Sequence, residues 1–177
     1  FLNPQAEQTD FSESEVEQFN QWYARVMVDQ EKTTDVVRMS KHGQKETLLV
    51  NTATYDYLAN SAGQDNLGQI LGALISFGRL ADAMGEEYRG GLLLIDELDV
   101  TLFPSSQVRL FDLLKERAAA QRVQVVFTTH SMTLLEKAVK ETQGKNDAVK
   151  VLYLKKRESG IRLTIDPPMD EIQADLM

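Results

Sequence analysis

The sequence contains no cysteine. That absence rules out a disulfide framework and any Cys-ligated zinc site, and it fits a reducing, cytoplasmic setting. No apolar run approaches the roughly 18 residues that a membrane span needs, and no secretory leader is visible. Positive charge is scarce: 19 Lys and Arg stand against 27 Asp and Glu, a net charge of −8. Such a balance argues against a general nucleic-acid coat but leaves room for a local basic groove. Internal repeats and low-complexity segments are missing. So is a phosphate-binding loop of the form Gly-x-x-x-x-Gly-Lys-[Ser/Thr]. The chain opens on Phe1 rather than Met, and we expect it to be a fragment of a larger protein.

What is present concentrates in Gly91 to Glu97. Four apolar residues, Leu92 to Ile95, run directly into Asp96 and Glu97. The run is too short for an ordinary helix. It reads as a buried strand of a parallel sheet with both acids at its C-terminal edge. Ligands sit at that edge in open α/β sheets. An unpaired buried carboxylate is costly, so two of them need a reason. A metal bound to a phosphate is one; a strand emerging into solvent is another.

The rest of the chain supplies a frame. Ser12 and Glu15 form a capping-box pattern ahead of an apolar stripe, Val16, Phe19, Tyr23 and Val26, at helical spacing. Residues Phe1 to Gln8 carry no pattern. Thr34 to Met39 and Glu46 to Val50 read as a hairpin, with His42 a solvated turn residue. Leu67, Ile70, Leu71, Leu74 and Ile75 mark one face of a helix, with Asn60 to Asn66 directly before it. Ser61, Gly63 and that helix start could form an anion site or an ordinary polar cap. Pro104 suits the first turn of a further helix, and Val123 to Phe127 is a strand ending in Thr128-Thr129-His130-Ser131. A helix near Thr133 to Lys140 completes a strand–helix–strand–helix alternation, the pattern of a parallel sheet with covering helices. Val149 to Leu154 and Ile161 to Ile165 form a closing hairpin, with the basic Lys155-Lys156-Arg157 near its tip. Asp170 to Leu176 starts another helix.

Four of these pieces, in this order, resemble the C-terminal half of an ABC-type ATPase head. Asn60 to Gln64 resembles the signature loop Leu-Ser-Gly-Gly-Gln, Leu92 to Glu97 the Walker B strand, Val100 to Pro104 the D-loop region, and His130 the switch histidine. The likeness is greatest to the branch holding SMC-like, RecF-like and OLD-family ATPases, and it covers roughly Tyr57 to Leu154. It implies an α/β, P-loop NTPase-like partial domain: a mostly parallel sheet covered by helices, with β-hairpins near both ends. Residues 1–177 would form the C-terminal part of one such domain. Within it, 1–56 is a helix and hairpin region, 57–154 holds the motifs, and 155–177 is a terminal hairpin and the start of a further segment.

Phosphoryl transfer to water needs phosphates held, charge neutralised and a water oriented. On the resemblance, Asp96 holds Mg²⁺, Glu97 polarises the attacking water and His130 reaches the γ-phosphate of ATP. Ser61, Ala62, Gly63 and Gln64 would act in trans on nucleotide held by a second copy. Val100, Thr101, Leu102 and Phe103 would form the D-loop. Asn60, Ala62 and Phe103 depart from the usual residues, and Phe103 puts the D-loop contact in question. The missing phosphate loop implies an N-terminal half elsewhere. The expected role is ATP hydrolysis by a dimerising head in a DNA-directed machine, for anti-phage defence or DNA repair, with DNA and a nuclease as further partners and no membrane partner. A transporter-type nucleotide-binding subunit and a non-catalytic dimerisation module are the alternatives.

Overall fold

The computed structural model describes residues 5–8, 11–27, 33–41, 45–52, 62–100, 102–144, 148–157 and 160–176, with side chains for 11–27, 65–100, 102–144, 148–157 and 160–175. The signature residues Asn60 and Ser61, the loop residue Thr101 and the turn residue His42 lie outside the described residues.

The first helix, α1 (Glu13–Met27), starts where the capping box places it. The Ser12 backbone N–H donates to Glu15 Oε2 at 2.7 Å, and the Glu15 N–H donates back to Ser12 Oγ at 3.4 Å. Phe19, Trp22, Tyr23 and Val26 are buried from its inner face. Strands β1 (Gln5–Gln8), β2 (Thr33–Lys41) and β3 (Lys45–Thr52) form an antiparallel sheet in that order. The β2–β3 hairpin agrees with the sequence. Strand β1 does not, because Phe1 to Gln8 carries no pattern. Its backbone pairing comes from β2, with Gln5 opposite Ser40 and Gln8 opposite Val37.

The long helix α2 (Ala62–Met84) buries Leu67, Ile70, Leu71, Leu74 and Ile75, the five residues at helical spacing. It lies along β3 and packs on α1. A 3-10 turn (Gly85–Glu87) leads into β4 (Gly91–Ile95). Here two glycines are required for different reasons. Gly90 has φ +98°, and a Cβ would sit 2.2 Å from the Arg122 carbonyl oxygen. At Gly91 a Cβ would meet the Phe77 ring at 2.3 Å, so the start of β4 runs against α2.

Helix α3 (Pro104–Gln121) begins with Pro at its first turn and ends on Arg122 in the left-handed region, which turns the chain into β5 (Val123–Phe127). Strands β4 and β5 pair in parallel, from Gly91 opposite Val123 to Ile95 opposite Phe127. Helix α4 (Met132–Thr142) follows, capped by Ser131. Strands β6 (Leu152–Arg157) and β7 (Gly160–Ile165) close an antiparallel hairpin, and α5 (Met169–Leu176) ends the described chain.

One apolar core joins α1, α2, α3 and α4 with Ile95, Leu98, Leu102, Val151 and Ile172. Polar clamps sit around it. Arg25 of α1 meets Glu116 of α3 at 2.6 Å, Arg79 of α2 pairs with Glu15 of α1, and Lys115 of α3 meets Glu141 of α4 at 2.9 Å. The Arg79 guanidinium, by hydrogen bonding, draws the Glu15 carboxyl down from 4.5 to about 2.

Three expectations need correction. Parallel pairing among the described residues is confined to β4–β5, against three antiparallel pairings, so the parallel sheet is smaller than the strand–helix alternation suggests. Strand β4 is not buried on both faces: Leu92 is 55% and Leu94 69% exposed, because no described element covers that side. The basic run Lys155 to Arg157 belongs to β6 itself rather than to a free tip, and Lys155 pairs with Asp175 of α5.

Candidate functional site

The parallel pairing decides the site. Because β4 and β5 run side by side in register, their C-terminal ends come out together, Ile95 beside Phe127. The residues just beyond, Asp96-Glu97 and Thr128-Thr129-His130, therefore share one edge. Asp96, Glu97 and His130 are all exposed. His130 Nε2 stands 4.0 Å from Glu97 Oε1, with the two side chains 85% and 52% exposed.

Glu97 has φ +52°, a left-handed conformation that a side-chain-bearing residue adopts at a cost. Thr128 is what holds it. The Glu97 N–H donates to Thr128 Oγ1 at 2.7 Å, and the same hydroxyl donates to Asp96 Oδ1 at 2.6 Å. Main-chain bonds brace the crossing: Leu98 N–H to Thr128 O at 3.0 Å, and Thr128 N–H to Ile95 O at 3.0 Å. One hydroxyl thus ties the Asp96 carboxylate and the Glu97 backbone together.

The next loop residues interlock. Asp99 Oδ1 accepts from Thr129 Oγ1 at 2.5 Å and from the His130 N–H at 3.2 Å. The buried Gln107 of α3 reaches the carbonyls of Asp99 and Leu102. Of the D-loop candidates, Leu102 is buried while Val100 and Phe103 are exposed, Phe103 at 78%. Thr128, Asp99 and Gln107 were not singled out from the sequence. The polar run Thr128 to Ser131 was a usable signal for Thr128, whereas Gln107 sits inside an amphipathic helix and carries none.

Ala62, Gly63 and Gln64 form the first turn of α2 rather than a loop ahead of it. The helix starts at Ala62, five residues ahead of Leu67, where the apolar stripe begins. These residues thus carry backbone N–H groups that a helix leaves without internal partners.

The donor set at the strand edge bears on a metal. Among the described residues no group of three His, Cys, Asp or Glu side chains could cage an ion. One exposed carboxylate with an oxygen already oriented by Thr128 fits Mg²⁺, which takes few protein carboxylates and completes its shell with water and phosphate oxygens. No described helix is long and apolar enough to cross a membrane.

A parallel strand pair with helices packed beside it, ending in adjacent acids and a histidine, is a P-loop NTPase-like α/β arrangement. The chain belongs to the family described as "AAA domain, putative AbiEii toxin, Type IV TA system", which matches residues 13–136. That is a family of ATPase domains. Two solved structures share the fold. One comes from work on ATP-driven dimerisation and DNA-stimulated activation of SMC ATPases, with 15% identity, a TM-score of 0.54, and coverage of 93% of this chain and 89% of that one. The other is an SMC head bound to the C-terminal winged-helix domain of ScpA, with 13% identity, a TM-score of 0.54, and coverage of 92% of this chain but 44% of that one. No curated protein matches the chain.

Proposed function

We propose that residues 1–177 are the C-terminal part of an ABC-type head that binds and hydrolyses ATP. The observation that carries this reading is the convergence of Asp96, Glu97 and His130 on one strand edge, with a single threonine tying the Asp96 carboxylate and the Glu97 backbone together. Glu97, kept exposed and turned into the left-handed region, accepts a proton from the attacking water. His130, 4.0 Å away, contacts the γ-phosphate. Asp96 would hold Mg²⁺, which would supply the charge neutralisation that the β- and γ-phosphates need.

The phosphate loop belongs to a second lobe. Leu92, Leu94 and Val126 lie exposed on one face of β4–β5, and Leu152, Leu154, Leu163 and Ile165 on one face of the terminal hairpin. Contiguous apolar faces of this kind mark a packing surface. The phosphate-loop lobe covers them, in keeping with an SMC head of which this chain spans less than half. Ala62 to Gln64, in the first turn of α2, together with Ser61 just before them in the sequence, serve nucleotide held by a second copy, as a helix N-terminus suits an anion. The SMC ATPases of the first structural relative dimerise on ATP and respond to DNA. On that likeness the head drives a DNA-directed machine, in phage defence or DNA repair.

The test is Glu97→Gln in the full-length protein. The amide keeps the shape and removes the base, so turnover should fall at least ~10²-fold while ATP binding persists. Hydrolysis close to wild type would remove Glu97 from this role.

A further inference from the structure

Gln107 is a buried polar side chain in the first turn of α3, only 6% exposed and next to the buried Ser106. Every hydrogen-bonding direction of its amide that matters is used. Nε2 donates to Leu102 O at 2.8 Å and to Asp99 O at 3.2 Å, and Oε1 accepts from Ser131 Oγ at 2.6 Å. The amide therefore joins two loops to which it does not itself belong: the one after β4 and the one after β5. Asp99 makes a second link between the same loops. Its Oδ1 takes the Thr129 hydroxyl at 2.5 Å and the His130 N–H at 3.2 Å, and Thr129 Oγ1 in turn accepts from the Ser131 N–H at 3.0 Å.

A buried amide satisfied on both heteroatoms specifies geometry rather than adding much net stability. The geometry specified here is the backbone of His130, whose imidazole is 85% exposed and has no packing of its own to hold it. We propose that Asp99 and Gln107 are positioning residues that lock the loop after β4 to the loop after β5 and so set where the His130 imidazole stands relative to Glu97. This inference rests on the reading of His130 as the γ-phosphate contact.

The experiment is a double-mutant cycle on ATP turnover in the full-length protein. It uses Asp99→Ala, His130→Ala and the double variant, with Asp99→Asn as the conservative control. Outer residues that orient a reacting group usually cost 10–100-fold, so Asp99→Ala should lower kcat at least about tenfold and leave KM for ATP within about twofold. Asp99→Asn should restore most of the rate, since its amide oxygen still accepts from Thr129 and His130. In the His130→Ala background, Asp99→Ala should cost nothing further, because residues acting as a unit are not additive. Independent, multiplicative losses would overturn the proposal. Backbone hydrogen exchange at His130 reads the lock without reference to turnover: it should accelerate in Asp99→Ala and in Gln107→Leu. Unchanged exchange in both variants refutes the lock itself. Faster exchange together with full activity of His130→Ala refutes instead the role given to His130.

Discussion

Thr128→Val isolates the contribution of one oxygen atom. Valine keeps the β-branched shape at the end of β5 and removes the hydroxyl that accepts from the Glu97 N–H at 2.7 Å and donates to Asp96 Oδ1 at 2.6 Å. A hydrogen bond to a charged group contributes about 1.5–3 kcal/mol when shielded, but Asp96 and Glu97 are exposed and water replaces the lost partner, so stability should fall by only about 1 kcal/mol. The larger effect is local. A left-handed residue with a side chain costs roughly 1–2 kcal/mol, and without its tether Glu97 returns to ordinary backbone regions. Since 1.4 kcal/mol is a factor of ten, the correctly turned Glu97 becomes about tenfold rarer and kcat should fall by about the same factor. Urea unfolding and steady-state ATP turnover of the full-length protein are measured side by side. Thr128→Ser, which retains both hydrogen bonds, should stay near wild type. The reasoning is refuted if valine loses stability with no loss of turnover, or if serine and valine are equally impaired.

Two further outcomes are expected. Leu94→Ser replaces a side chain that is 69% exposed here. On the proposal that a phosphate-loop lobe covers that face, the change should cost the full-length protein about 2–3 kcal/mol, as for a core leucine; a loss under about 0.5 kcal/mol would show that the face meets solvent. The Glu15–Arg79 pair predicts a pH dependence. The Glu15 pKa is depressed from 4.5 to about 2 when folded, so its stabilisation is present above 4.5 and lost as pH falls toward 2. Arg79→Met should lower stability by about 1 kcal/mol at neutral pH, because the pair is near the surface. The gap between wild type and variant should narrow across that window; denaturant titrations showing a constant gap would contradict the assignment.

Much of the frame was legible because it is written in near-neighbour pattern. The Ser12–Glu15 capping box placed the start of α1, and the spacing of Leu67 to Ile75 named the buried face of α2. The limits of β5, Val123 to Phe127, were set by its β-branched run, and Pro104 marked the first turn of α3. Asp96, Glu97 and His130 were visible as polar groups ending apolar strands. Each signal spans only a few residues, the range over which helix and strand periods act.

Tertiary structure decided everything that depends on strands meeting. Strand β1 exists only because β2 offers it an edge. The left-handed Glu97 and its threonine tether join residues 31 apart, through a parallel register that periodicity cannot specify. Gln107 reads in sequence as one more polar residue on an amphipathic helix, and only the fold turns its amide inward between two loops. Strand β4 was read as buried, and the exposed face of Leu92 and Leu94 departs from that reading for the same reason. An alternating or continuous apolar run states that a side chain favours leaving water. Which element takes it out of water is settled by the packing of segments distant in the chain.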